Sequence, residues 1–447
     1  MTSASSASLH FPSPLNGAHG ANPTNSPDAA QVAPGDIAVG VVIGRASEYF
    51  DFFVYGIASV LVFPAVFFPF ADRLEGTLWS FALLALAFVL RPVGTLLGMQ
   101  LQRRFGRGMK LTASLLLLGS STVGIALLPG YHAAGAAAIG LLALCRIGQG
   151  LALGGSWDGL PSLLALNAPE KRRGWYAMLG QLGAPLGFLV ACGLFTYLWG
   201  NLSSQDFLDW GWRFPFFAAF AINVVALFAR LRLVVTHEYE RELQAHELEP
   251  CDNRELFTTQ GHNVVIGAFA ALASYALFHL VTVFPLSWVA LYSEQETLQF
   301  LRVELVGGVL AALAMPLSGW LADRFGRRNT LGTLAIAIGV FSLTAPWLLG
   351  GNDAAQDVFV LVGFVLLGLS YGQAAGAVAS NFLPGFRYTG SALTTDLAWL
   401  IGAAFAPLVA LYLSAHYGLV AVSLYLLSGA VCTLLALRTN RWLAMRD

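Results

Sequence analysis

The sequence predicts an all-α, polytopic membrane protein, with twelve transmembrane helices in two six-helix bundles. Composition, the count of membrane-length apolar runs and one repeated tetrapeptide carry this expectation. Of 447 residues, 57% are hydrophobic and 11% charged, with a mean hydropathy of +0.67; soluble domains carry about twice that charge. Arg104-Phe105-Gly106-Arg107 recurs as Arg324-Phe325-Gly326-Arg327, almost half a chain length later and again between two apolar runs. Self-similarity at that period points to a duplicated set of membrane spans.

A crossing of roughly 30 Å needs about 20 apolar residues. Twelve such stretches begin near Ile37, Leu78, Leu111, Ala134, Trp175, Phe214, Val264, Leu301, Leu331, Val358, Thr389 and Leu419. Residues 1–35 are rich in Ser, Pro, Asn, Gly and Ala and lack Lys and Arg. Without the basic start of a secretory signal they read as a disordered cytoplasmic tail. Residues 36–233 form the first bundle, 234–261 a cytoplasmic central loop, 262–438 the second bundle and 439–447 a cytoplasmic C-terminal tail. The central loop is too short to hold an enzymatic or signalling domain.

Orientation follows from the basic residues, which gather on the cytoplasmic side. Arg103, Arg104, Arg107 and Lys110 separate spans two and three; Lys171, Arg172 and Arg173 separate four and five. Arg230, Arg232, Arg241 and Arg254 flank the centre, Arg324, Arg327 and Arg328 separate eight and nine, Arg387 precedes eleven, and Arg438, Arg441 and Arg446 close the chain. The opposite side receives Arg73, Arg213 and Arg302, so both termini are expected in the cytoplasm.

Three arginines, Arg45, Arg91 and Arg146, fall inside or at the edge of apolar spans. The first span also carries Glu48 and Asp51. Each charge near mid-bilayer costs about 2.5–3.5 kcal/mol, so the trio on span one would cost roughly 8–10 kcal/mol facing lipid. At 100° per residue Glu48, Asp51 and Tyr55 fall within about 60° of one another, with Arg45 at the rim, which makes an inward polar stripe. Arg146 heads a similar face with Gln149 and Trp157. A buried arginine needs an anion, and Glu48 or Asp51 is the expected partner. The pairing reads either as a proton-coupling site, with Asp51 and Glu48 as the titrating groups, or as a fixed bridge tying spans one and four.

Asp396 opens span eleven as a pore candidate. Gln181, Tyr371 and Gln373 could bind substrate or bridge helices. Arg302 and Glu304 read as a solvated pair near the outer end of span eight, and His279 as a satisfied packing residue. Cys145, Cys192, Cys251 and Cys432 have no CxxC or metal-like spacing. No nucleophile-base set, phosphate loop, cofactor motif or metal cluster emerges. No basic patch beyond the topology-setting loops suggests nucleic acid.

These motifs resemble the major facilitator superfamily, and within it the metabolite:proton symporters. Gly319-Trp320-Leu321-Ala322-Asp323-Arg324-Phe325-Gly326-Arg327-Arg328 matches the superfamily's cytoplasmic loop without a gap. Group-level likeness comes from Glu48-Tyr49-Phe50-Asp51-Phe52, Arg91-Pro92-Val93-Gly94, Arg146-Ile147-Gly148-Gln149-Gly150, Gly154-Gly155-Ser156-Trp157, Arg172-Arg173-Gly174, the run Trp210 to Phe216, and Arg387-Tyr388-Thr389-Gly390. Three departures stand out: Arg103 where the first loop's Asp belongs, Ser156 in place of the usual Glu with Asp158 two residues on, and Asp396 in place of Asn.

The resemblance implies proton-coupled uptake of a small organic acid or zwitterion by alternating access, across a bacterial inner membrane, by a monomer without cofactor. Asp51 and Glu48 would couple the proton. Arg146, Arg45, Tyr55, Gln149, Trp157, Asp158, Gln181, Tyr371, Gln373 and Asp396 would line the substrate path. Arg104, Gly106, Arg107, Asp323, Arg324, Gly326 and Arg327 would gate the cytoplasmic face. Proton-driven export of an acidic or amphipathic compound, and a nutrient sensor that does not transport, are the rival expectations.

Overall fold

A computed structural model describes residues 34–157, 168–234, 249–379 and 382–442. Asp158, the N-terminal tail to residue 33 and most of the central loop lie outside them. The described chain is helical throughout, and the spans are numbered here in chain order: α1 (Pro34–Leu61), α2 (Arg73–Phe105), α3 (Arg107–Leu127), α4 (Ala136–Gly155), α5 (Arg173–Asn201), α6 (Phe214–Val234), α7 (Asn253–Tyr292), α8 (Thr297–Phe325), α9 (Arg327–Ser342), α10 (Asp353–Ala379), α11 (Arg387–Tyr417) and α12 (Leu419–Trp442). Ten of these are long and apolar enough to cross a membrane. The other two are α1, with ionisable residues spread along it, and α9, interrupted after 16 residues.

The duplication predicted from the repeat is visible in the packing. In the first half α1 packs on α5 and α6, α2 on α4, and α3 on α6; in the second α7 packs on α11 and α12, α8 on α10, and α9 on α12. The two repeated tetrapeptides form one device twice. Gly106 and Gly326 each end a helix with φ +83°, a conformation that side-chain-bearing residues adopt at a cost, and their amides close on Gln102 and Ala322.

Asp72 caps α2 by accepting from the Glu75 amide, and Asp252 caps α7 by accepting from Arg254 and Glu255. That cap starts α7 at Asn253, ahead of the expected Val264. α4 ends at Gly155 after 20 residues.

Close backbone approach explains the glycines of α2 and α4. A Cβ on Gly154 would lie 2.0 Å from the Arg91 carbonyl, and one on Gly150 2.4 Å from that of Ala87. Irregular turns occur in both halves: α5 is interrupted at Gly180–Leu182, α7 at Ala271 and Val283, and α11 widens into a π turn over Trp399–Ala404.

The halves meet along α5 with α8 and α10, α2 with α11, and α1 with α7. One apolar core runs through both, and at its centre Phe53 stacks on Phe278 with ring centroids 5.3 Å apart. A cavity of about 10 Å³ remains between the halves, walled by Phe53, Phe188, Phe278, Met315, Phe364 and Tyr371. That volume holds about one water molecule.

Candidate functional site

Polar side chains inside the bundle sort into three clusters. The first lies within the amino-terminal half. Asp51 on α1 is 2% exposed and accepts from Thr122 Oγ1 of α3 at 2.7 Å and from Gln149 Nε2 of α4 at 3.4 Å. Gln149 faces both ways: its Oε1 accepts from Arg146 Nη1 at 2.9 Å. The second Nη of Arg146 donates to the Leu84 carbonyl at 3.0 Å, and its guanidinium lies 4.0 Å from the centroid of the Tyr55 ring. The expected direct ion pair between Arg146 and Asp51 is therefore not made. Gln149 stands between the charges, because its amide is a donor on one side and an acceptor on the other.

The second cluster joins α1 to the opposite half. Arg45 Nη1 pairs with Glu48 Oε2 at 2.6 Å on its own helix and donates to Tyr49 Oη at 3.1 Å. Ser156 donates to Glu48 at 3.2 Å. The Tyr49 hydroxyl shares a hydrogen bond with that of Tyr371 on α10 and lies 3.4 Å from Gln181 Oε1. The stripe expected on α1 thus faces α4 along its length, Glu48 against Ser156, Asp51 against Gln149 and Tyr55 against Arg146, while Arg45 and Tyr49 at its rim lead to the opposite half.

The third cluster spans α2 and α11. Arg91 Nε lies 2.7 Å from Asp396 Oδ1, Thr95 donates to Asp396 Oδ2, and the Arg91 guanidinium sits 5.8 Å from the Trp399 ring centroid. Arg91 is thus the partner of Asp396. Its signal was in the sequence as an arginine inside an apolar span; Thr95, Thr122 and Tyr49 left none, since such residues are common in helices for packing alone.

At the end of the bundle carrying the basic loops, called here the basic end, Asp323 accepts from the Gly174 and Trp175 amides at 2.6 and 3.1 Å. Arg327 donates to the Gly376 carbonyl at 2.8 Å and to that of Arg173 at 3.4 Å, and Gln373 donates to Gly174 O at 3.2 Å. Arg324 covers Trp320 and Phe325, and Arg104 covers Phe105.

The first half, with Arg103 in place of an Asp, closes differently. Arg103 donates to the Cys251 carbonyl at 2.9 Å, and the Cys251 amide donates to Thr389 on α11 at 3.0 Å. Lys110, 1% exposed, reaches Gln102 at 2.8 Å, Tyr388 Oη at 2.7 Å and the Trp157 carbonyl. Trp157 therefore lies past the end of α4 and contributes its backbone to this latch; it does not join the Arg146 cluster.

Two expectations are corrected. Glu304 is fully buried with both carboxyl oxygens lacking hydrogen-bond partners, and is not a solvated partner of the exposed Arg302. His279 is buried with neither ring nitrogen bonded, edge-on to Phe52 at 5.1 Å, so it packs without being satisfied.

The Major Facilitator Superfamily model matches residues 49–395. Escherichia coli K12 has an inner membrane metabolite transport protein, YhjE, 39% identical over 90% of this chain and 92% of its own. The shikimate transporter of the same organism is 30% identical, over 88% of this chain and 91% of its own. A solved structure of the proton:xylose symporter XylE superposes with a TM-score of 0.70 at 19% identity, over 92% of this chain and 96% of that one, which speaks for the fold. Twelve helices among the described residues, in two matched sets of six that each carry the helix-ending loop between their second and third members, complete the agreement: the chain is a multi-pass membrane transporter that belongs to the major facilitator superfamily.

Proposed function

We propose that the protein takes up a small organic acid or zwitterion together with a proton, as a monomer alternating between two open faces, in a bacterial inner membrane. Its basic end and both termini face the cytoplasm, as the distribution of arginine and lysine favours. Relatives named for shikimate and for proline and betaine support that substrate range.

The observation that carries the reading is the shared use of Gln149. Asp51 is held by two donors, Thr122 and Gln149, and Gln149 also occupies Arg146. A proton arriving on Asp51 Oδ2 sets a donor against the Gln149 amide, and that longer bond is lost, while the Thr122 hydroxyl, on the other oxygen, keeps its place. Gln149, still held by Thr122 Oγ1 at 2.9 Å, then swings its carbonyl oxygen off Arg146. Arg146 is then free to present its fork to a carboxylate, a geometry that binds two oxygens and keeps its charge when buried. Glu48 with Arg45, and Asp396 with Arg91, balance charge as the halves separate, while Tyr55, Gln181, Tyr371 and Gln373 line the path.

The test is accumulation of radiolabelled shikimate, proline and glycine betaine in proteoliposomes under an imposed pH gradient. Accumulation that collapses with the gradient supports the reading. Asp51→Asn should abolish accumulation while retaining exchange of preloaded substrate, and an Asp51→Asn protein that still concentrates substrate would sink the assignment.

A further inference from the structure

Glu304 carries a carboxyl group isolated inside the protein. It is 0% exposed, and neither oxygen has a hydrogen-bond partner. Its position on α8 is defined by its neighbours. Leu301, Glu304 and Gly308 recur at i, i+3 and i+7, the spacing of one helix face. On that face the Leu301 carbonyl accepts from Cys192 of α5 at 3.4 Å, and a Cβ on Gly308 would meet Leu189 of α5 at 2.9 Å. The adjoining face packs on α10, where Gly307 lies under the Phe364 ring. Glu304 therefore sits in the seam between the two halves, toward the end opposite the basic loops.

Charged and titratable groups on the surrounding elements do not answer it. Cys192 is its titratable neighbour on α5. Asp357 on α10 is engaged by Gln295 at 2.8 Å; Tyr197 on α5, Tyr292 on α7 and Arg302 on α8 are exposed. Asp323, nineteen residues along α8, is roughly 28 Å away at the basic end. An ionised carboxylate in such a place costs several kcal/mol, while a neutral carboxyl lacking a partner costs about 1–3 kcal/mol. The closed seam accommodates the acid form alone.

We propose that Glu304 is a second proton-binding site, which takes a proton from the solution at the far end as α5 and α8 close over it. The step is simple: the carboxylate, hydrated while the seam is open, accepts one hydron and sheds its water, and opening to that side returns the hydron to the solution. Closure of the far end thereby consumes one proton regardless of which metabolite is carried. The site is separate from Asp51, which keeps donors around it and resides within one half.

The experiment places spin labels on Ala133→Cys and Asp353→Cys, exposed far-end positions in opposite halves, in protein whose four native cysteines are replaced. Distances are measured by double electron–electron resonance between pH 5 and pH 9. Where Glu304 titrates, the ratio of far-open to closed molecules should rise by up to about tenfold per pH unit, the limit for one coupled proton. Glu304→Gln should hold the closed distance at every pH, and Glu304→Met, which fills the space with no polar group, should do the same if the glutamine variant does not fold. Asp51→Asn should keep the response, which separates this site from the coupling site proposed above. Distances that ignore pH in the parent protein, or a response that survives in the folded Glu304 variant, would overturn the proposal.

Discussion

Asp323 Oδ1 accepts a hydrogen bond from the backbone amide of Gly174 at 2.6 Å, which sets a carboxylate of the second half on the first turn of a helix in the first half. The Trp175 amide serves the other oxygen. The amides at a helix start are unpaired donors with a partial positive charge, so the contact joins hydrogen bonding to a charge–dipole attraction. It holds only while the basic end is shut.

Asp323→Asn keeps the shape and removes the charge. A loss of about 1–2 kcal/mol from the closed basic end is expected, equivalent to roughly a 5- to 30-fold shift toward opening. Alkylation of Ala177→Cys, a buried position against Gly376 of the other half, should accelerate by that factor.

The Arg91–Asp396 pair offers a double-mutant cycle. Removing one partner leaves a buried charge alone, at a cost of about 3–5 kcal/mol. Arg91→Met and Asp396→Leu should each lower the thermal unfolding midpoint in detergent sharply. The double variant should recover most of the loss, and full additivity would show that the two side chains act separately.

Gly154→Ala should be strongly destabilising, because the added methyl carbon falls 2.0 Å from the Arg91 carbonyl and displaces backbone, at a cost of about 1–3 kcal/mol or more. Gly140→Ala, on the same helix with nothing within 4 Å, should be neutral or gain up to about 1 kcal/mol from helix propensity. Thermal unfolding of the pair checks the seam between α2 and α4.

Tyr388→Phe removes a link between Lys110 and α11 worth about 1.5–3 kcal/mol, the range for a hydrogen bond to a charged group. The consequence should appear next door. Hydrogen exchange at the Cys251 amide, which is held by Thr389, should quicken about tenfold or more if closure of this face depends on the latch.

Much of the architecture was legible because it rests on periodic, local signals. The two Arg-Phe-Gly-Arg copies announced the duplication, and each proved to be a helix end with a positive-φ glycine. Apolar runs announced the spans, and the cost of charge in lipid announced that Arg45, Glu48, Asp51 and Arg146 turn inward. Partnership was less legible. Helical phase put Glu48 and Asp51 on one stripe, and both meet α4, but it did not reveal that Asp51 would also take a hydroxyl from Thr122 of α3 or that Glu48 would pair with Arg45 on its own helix. Arg146 faces Asp51 through Gln149, a choice made by side-chain length and approach. Glu304 was read as interfacial from its place near a helix start, because one sequence does not reveal which face of α8 meets α5.

The two ends of the seam are shut by different kinds of contact. At the basic end Asp323, Arg327, Gln373, Lys110 and Arg103 reach across with hydrogen bonds. At the far end Gly56 meets Val283, Leu298 covers Gly200, and Leu305 lies over Gly193. Apolar contact weakens on cooling, whereas added salt screens exposed charge and strengthens apolar association when the salt is sulfate or phosphate. Temperature and ionic composition thus act on the two doors unequally. A chilled molecule in dilute buffer leans toward opening at the far end, and a warm one in concentrated sulfate toward opening at the basic end, so the medium alone sets a resting bias before any cargo arrives.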